Sequence, residues 1–393
     1  MGVDSGSAIA DRAAAEGYVG KVCFKTGPPE RVGVELEWTV HHRADPCRPL
    51  DVRELAIALG PHAPPTLDPA SAHRPLPGGS LVTLEPGGQV ELSSPPVTSL
   101  AGLIDDTAAD VTVLSRLLAS SGLCLGGQGH DPHRPAERLI HTQRYAAMEH
   151  AFDRVGPWGR AMMCGTAGLQ VCLDIGTGAR AAARWRAAHA LGPPMIALFA
   201  NSARDGWASG RMRTWYETDP VRTLPPVLDG DPVGAWAKRV LDTPLLCLRR
   251  DSGEWDPPPG VTFGGWIEGA LPTRPTYDDL DYHMTTMFPP VRPRGYLELR
   301  YIDAQPGGDW VLPVAMITAL FAREETVDAA TELAEPAGQR WVQAARDGLA
   351  DPVIASVVPR LVELACVALD DTDLPADMKA DVAKRLSSRE GLR

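Results

Sequence analysis

With 393 residues, 44% of them apolar and 22% charged, the chain has enough material for a large buried core and an ordinary globular composition. A formal charge of −12 argues against a nucleic-acid binder, which needs a basic surface. No uninterrupted apolar run approaches the roughly 18 residues of a membrane span.

The segment from Met1 to Lys21 has no basic start followed by an apolar stretch, so no secretory leader is expected and the reading is cytoplasmic. Seven cysteines (Cys23, Cys47, Cys124, Cys164, Cys172, Cys247 and Cys366) are scattered without a C-x-x-C pair. That pattern suits reduced thiols better than a disulfide framework or a zinc site, and leaves a cysteine nucleophile open. Lysine occurs only at Lys21, Lys25, Lys238, Lys379 and Lys384. Any bound phosphate or carboxylate is therefore expected to meet arginine forks.

Taken in chain order, a short alanine-rich helix is expected before Arg31. From Arg31 to Val40 the alternation is strict: Val32, Val34, Leu36, Trp38 and Val40 point one way, Glu35, Glu37 and Thr39 the other. A Pro/Gly-rich connection follows, roughly 60 to 80. A strand at Leu81–Glu85 then turns through Pro86-Gly87-Gly88 into a return strand at Gln89–Ser93. Apolar residues at helical spacing from Leu100 to Leu118 stop at Ser120-Ser121-Gly122. A third strand signal covers Gly168–Ile175, with Gln170, Cys172 and Asp174 on its polar side. Helices are expected near 177–191 and 233–242. A last strand, Tyr296–Ile302, sets Glu298 and Arg300 opposite Leu297, Leu299 and Tyr301. Beyond Trp310 the pattern is helical to the end, broken at Pro336, Pro352, Pro359 and Pro375. There is no internal repeat or long linker.

These strand signals, distant in sequence, share one property: an apolar face and a face carrying carboxylates or other polar groups. An antiparallel sheet covers one face with helices and leaves the other open. Glutamates crowded on the open face repel unless cations sit among them. The expected fold is α+β, a mostly antiparallel sheet backed by helices. It forms a single domain over 1–393, with sheet and site in about 30–305 and a helical part in about 310–393.

Glu35-Leu36-Glu37 puts two carboxylates side by side, a pair of hard oxygen ligands that suits magnesium, though E-x-E is also common on solvated strands. Glu85-Pro86-Gly87-Gly88-Gln89-Val90-Glu91 is more specific. If Pro-Gly-Gly is the hairpin loop, Glu85 and Glu91 share a face about 7–8 Å apart on the diagonal. Glu298-Leu299-Arg300 pairs a carboxylate with a guanidinium, as a metal-bound phosphate requires, or forms a surface pair of little energetic value. His283 is a candidate metal or phosphate contact, whereas His130-x-x-His133 reads as an ordinary loop. Trp215 and Tyr216 suit either base stacking or the core. No Walker-type or Rossmann glycine fingerprint is present.

Together these segments resemble the plant-type glutamate–cysteine ligases, and most closely their bacterial relatives in ergothioneine biosynthesis. The likeness runs from Val32 to the helices after Trp310. It is carried by Gly33-Val34-Glu35-Leu36-Glu37, Leu84–Ser93, Gln143-Arg144-Tyr145, Leu169–Asp174, Ala197–Ser202, His283–Pro289 and Tyr296–Arg300. The resemblance implies a glutamine-synthetase-like cupped antiparallel sheet, ATP, magnesium ions, and γ-glutamyl transfer from L-glutamate to L-cysteine through an acyl phosphate. It further implies that Glu35, Glu37, Glu85, Glu91, Glu298 and His283 meet the metal, and that Arg300, with Glu37, serves catalysis. Gln170, Arg213, Arg292 and Tyr145 would then meet the substrates. The alternatives are a ligase with another amine acceptor, a guanidino kinase, and an inactive nucleotide-binding relative. Small-molecule partners are expected, with no nucleic acid and no membrane; oligomeric state is not legible.

Overall fold

The computed structural model describes residues 6–226 and 230–390, so the first five residues of the Met1–Lys21 segment lie outside the described residues. Eight strands occur among them: β1 (Val32–Trp38), β2 (Val40–His42), β3 (Leu81–Leu84), β4 (Val90–Ser93), β5 (Leu123–Leu125), β6 (Gly168–Leu173), β7 (Val291–Pro293) and β8 (Leu297–Asp303). Six form one antiparallel sheet in the order β3-β4-β1-β6-β8-β7, while β2 and β5 pair separately.

The period-2 pattern decides which face is which. Val32, Val34, Leu36 and Trp38 of β1, with Leu169, Val171 and Leu173 of β6 and Leu297, Leu299 and Tyr301 of β8, enter the main core. Their alternates form cross-strand rows on the other face. Glu37 stands opposite Glu91, Glu35 opposite Ser93 and Gln170, Cys172 opposite Glu298, and Glu298 opposite Arg292. A bulge between Leu169 and Val171 falls at Gln170; bulges commonly re-aim a side chain beside an active site.

Behind the apolar face lie the helices Leu100–Ser120, Gly178–Ala190 and, after Trp310, Val311–Leu320, Glu324–Ala334, Trp341–Asp347 and Pro352–Ala368. Val311–Leu320 is buried on nearly every side, as an all-apolar helix must be. The expected break at Pro359 does not occur: the helix from Pro352 runs through it, with Pro352 in its first turn and Asp351 capping it. Arg360 and Glu363 interrupt this segment's apolar run, yet Pro352–Asp371 is long and apolar enough for a membrane span by length and composition. Its Ile354, Val357, Val358, Leu361, Val362 and Ala365 pack into the main core instead.

Over the polar face, the helices Gln143–Asp153, Trp158–Gly165 and Gly210–Thr218, with Thr285 and Phe288 just beyond the end of Tyr277–Met284, supply side chains that wall a cavity. The β3–β4 turn is fixed from outside as well as within. Gly88 takes φ 82° and donates to the Glu85 carbonyl at 2.9 Å, a conformation that favours glycine. A Cβ on Gly87 would lie 2.2 Å from the Cys164 carbonyl oxygen. The Pro-Gly-Gly turn thus lets Trp158–Gly165 close directly against the hairpin.

Candidate active site

The polar face is the floor of a cavity of about 270 Å³. Glu35 and Glu37 enter it from β1, Glu85 and Glu91 from the β3–β4 hairpin, Gln170 from β6, and Arg292 and Arg300 from β7 and β8. Tyr145 lines it from the helical wall, its hydroxyl 3.5 Å from the Leu84 carbonyl.

Glu37, Glu85 and Glu91 converge: one carboxylate oxygen from each lies within 4.8 Å of the others. Cross-strand pairing makes this geometry, since Glu37 and Glu91 sit directly opposite on β1 and β4, an arrangement that like charges disfavour. Glu91 Oε1 accepts from the hydroxyls of Thr83 at 2.6 Å and Ser93 at 3.1 Å. Glu37 accepts from the Gly168 amide at 2.7 Å and from Gln170 Nε2 at 3.0 Å. Burial first, then mutual repulsion, pushes Glu35 and Glu91 up to about 8 and Glu85 up to about 7. The donor set is all carboxylate oxygen, in reach of one centre and short of positive charge. It fits a hard divalent cation such as magnesium.

The other end of the row is paired. Glu298 is fully buried, and its oxygens accept from Arg292 at 2.7 and 3.2 Å and from Arg300 in a very close contact. Burial alone would raise its carboxyl, but Arg292 and Arg300 override that and hold it at about 2. Arg300 also donates to Gln170 Oε1 at 2.7 Å. The Gln170 amide therefore links Arg300 to Glu37, and through it the arginine end to the carboxylate end.

Two expected site residues lie elsewhere. His283 is not at the cup: its Nε2 pairs with the Val240 carbonyl at 2.9 Å and its ring stacks on Phe263 at 5.2 Å. Burial drives it down to about 3, so it stays neutral inside a separate core. Arg213 points away, over Trp158 and Trp207 and towards Asp205 at 3.6 Å. Glu298 belongs to the sheet face as expected, but it sits among arginines and not with the converging carboxylates. The His130–His133 loop turns around Asp131, which holds Arg134 and the His133 amide.

The cup also contains groups that the sequence reading did not single out. Arg144 donates to the Thr285 hydroxyl at 2.8 Å and the Thr285 carbonyl at 3.0 Å. Thr285, Arg294 and an apolar wall of Met148, Met162, Met163 and Phe288 also line it, beside Trp215, for which the sequence alone allows either base stacking or the core. Arg144 lies in a segment already noted for its likeness, and the shortage of lysine was the remaining signal for it. Cys23, Cys47, Cys124, Cys164, Cys172 and Cys247 carry free thiols. Burial raises the thiols of Cys23, Cys164, Cys172 and Cys247, the opposite of an activated nucleophile.

The model of the family described as Glutamate-cysteine ligase family 2 (GCS2) matches residues 31–385. The chain is 37% identical over 407 aligned residues to the glutamate–cysteine ligase EgtA of Mycolicibacterium smegmatis, covering 98% of this chain and 91% of that protein. It is 39% identical over 373 residues to EgtA of Mycobacterium tuberculosis, covering 91% and 83%. A chloroplastic glutamate–cysteine ligase of Brassica juncea is 32% identical over 295 residues, 70% of this chain and 55% of that one. Among solved structures, a glutamate–cysteine ligase of Francisella tularensis in complex with AMP aligns with a TM-score of 0.54 at 12% identity, covering 94% and 83%. At that identity the likeness concerns the fold.

Proposed function

The chain belongs to glutamate–cysteine ligase family 2, and from that membership we propose that it joins the γ-carboxylate of L-glutamate to the amine of L-cysteine at the expense of ATP. The γ-carboxylate attacks the γ-phosphorus of ATP, giving γ-glutamyl phosphate and ADP. The cysteine amine then attacks the acyl carbon, loses a proton, and expels phosphate. The product is γ-glutamylcysteine, which we assign to ergothioneine assembly. The whole chain is read as one catalytic domain, working in the cytoplasm on small molecules.

One observation carries this reading: three carboxylates, Glu37 buried and Glu85 and Glu91 half-buried, converge in a cavity whose other end holds arginines, and Gln170 bridges the two. Glu37, Glu85 and Glu91, with Glu35 beside them, would hold magnesium, which when bound screens the negative charges that the reaction must bring together. Arg300 and Arg292 face the same cavity and supply the fixed positive charge for a transferring phosphoryl group. Arg144 and Tyr145 stand on the helical wall, where an amino acid would be oriented. Gln170 holds Arg300 and Glu37 in register, so that electrostatic stabilisation needs no rearrangement at the moment of transfer.

An ADP-release assay across the amino acids, with and without glutamate, tests the activity and the acceptor together. Oxygen-18 in the γ-carboxylate of glutamate should appear in released phosphate, and hydroxylamine should trap γ-glutamyl hydroxamate. Pyrophosphate formed in step with product would overturn the mechanism.

A further inference from the structure

Arg211 is 1% exposed and lies outside the cavity lining. Among the described residues no carboxylate stands within ion-pair distance of it, and its Nε has no hydrogen-bond partner. Burial lowers its pKa, and only longer-range attraction to Glu37 and Asp303 opposes that. A buried guanidinium with no carboxylate in contact is costly, and an apolar residue of similar volume would serve packing better. What Arg211 does touch is the framework of the site. Its Nη2 donates to the Arg300 carbonyl at 2.9 Å. Its Cζ lies 5.1 Å from the centre of the Trp215 ring, and the Arg300 Cζ lies 5.3 Å from that same ring.

Gly168 provides the third contact. A Cβ there would fall 2.3 Å from Arg211 Nη2, so any side chain at this position would push the guanidinium out of its place. The same residue's amide donates to Glu37 Oε2 at 2.7 Å. Arg211 is anchored in turn: its amide donates to Ser202 Oγ at 3.0 Å, and Ser202 and Ser209 both donate to Asp303, at 2.6 and 2.9 Å. Asp303 closes β8, three residues beyond Arg300.

We propose that Arg211 is a positioning residue for phosphoryl transfer, bracketing the Arg300 backbone, the Trp215 ring and the Gly168 amide so that Arg300 and Glu37 are held at a fixed separation. The inference rests on the ligase reading for the roles of Arg300 and Glu37. The bracket itself is a statement about structure. A misplacement of about 1 Å in such a site costs on the order of 10²-fold in rate.

The test uses the full-length protein with Arg211→Met, Arg211→Lys and the double variant Arg211→Met/Arg300→Lys. Arg211→Met should fold with a Tm close to that of the wild type, because it removes a buried cation that no carboxylate contacts. Its kcat should fall about 30–100-fold while the KM values for glutamate and ATP stay within about threefold. Arg211→Lys, unable to reach carbonyl and ring together, should fall on the same side; it decides the matter if the methionine variant does not fold. If Arg211 acts through Arg300, the double variant should be little slower than Arg300→Lys alone. A crystal structure of the Arg211→Met protein should show the Arg300 guanidinium shifted from Gln170 and Glu298, a result independent of any ligase assay. Folded single variants with wild-type kcat, or full additivity in the double variant, or an unmoved Arg300 would each overturn the proposal. Absence of γ-glutamyl transfer in the wild-type protein would instead sink the ligase reading and leave the crystallographic outcome to judge the bracket.

Discussion

The two ends of the polar sheet face use the same side chain under opposite electrostatics. At the hairpin end, Glu37, Glu85 and Glu91 converge with only hydroxyl and amide donors, and burial and repulsion raise Glu85 and Glu91 to about 7 and 8. At the β7–β8 end, Glu298 is the most buried of the five acids, yet its carboxyl is held at about 2 by Arg292 and Arg300. Burial therefore does not decide whether a glutamate is a liability; its neighbours do. The hairpin end lacks positive charge and the β7–β8 end already has it. A ligand that brings divalent cations and a polyanion would complete both.

The sharpest way to break this comparison is to neutralise one acid at a time. Glu85→Gln and Glu91→Gln should each lower turnover by about 10³-fold or more, since an amide of equal shape is a poor ligand for a hard cation. The same changes should leave the metal-free protein as stable as before or more so, because they relieve repulsion. Near-normal turnover of either variant at saturating magnesium would remove that residue from the metal site.

Glu298→Gln should behave in the opposite sense. It strands Arg292 and Arg300 as buried cations, and breaking such a pair from one side costs about 3–5 kcal/mol. Urea titration of the two classes of variant, without metal, reads the difference directly. A Glu298→Gln protein as stable as Glu85→Gln would mean that the two ends are electrostatically alike.

A milder probe is pH. Glu35, Glu85 and Glu91 have carboxyls raised to about 7–8 in the folded chain, against about 4.3 for an unfolded glutamate. Between those limits the native state holds more protons than the unfolded one, so stability falls as pH rises from about 4.3 to about 8. Saturating magnesium should abolish this fall and release protons on binding. Thermal scans at pH 6 and pH 8, with and without magnesium, measure it. A metal-free Tm that rises over this interval would contradict the raised values.

How far this was legible in the sequence depends on the kind of pattern involved. Strict alternation located Glu35, Glu37, Glu91, Gln170, Glu298 and Arg300 on one face, because a strand's period of two leaves no alternative. Pro86-Gly87-Gly88 likewise marked its own turn. The three-residue strand β7 was not legible, and its Arg292 is placed by pairing with Glu298. The helical wall was harder, because facing depends on the neighbours. In Gly210–Thr218, Arg211 and Trp215 are four apart and share the inward face, whereas Arg213 lies between them and turns outward. Motif likeness favoured Arg213; helical geometry favours Arg211.

His283 gives the smallest effect and separates motif from placement. It follows Leu280 by three residues on the buried face of Tyr277–Met284, which turns it towards Phe263 and the Val240 carbonyl and away from the carboxylates. A metal ligand replaced by glutamine should cost turnover by orders of magnitude. A core histidine replaced by glutamine keeps an N–H for the carbonyl and loses only ring packing, roughly 1–2 kcal/mol of stability, with kcat nearly unchanged. The pH dependence adds a second reading. The folded ring titrates at about 3 and an unfolded histidine near 6.5, so the unfolded state binds the extra proton as pH falls between them. The wild-type protein should lose stability on acidification through that interval, and His283→Gln should lose less of it. A collapse of kcat in a folded His283→Gln protein would return this residue to the metal site and show that the segment after Tyr277 rearranges when substrates bind.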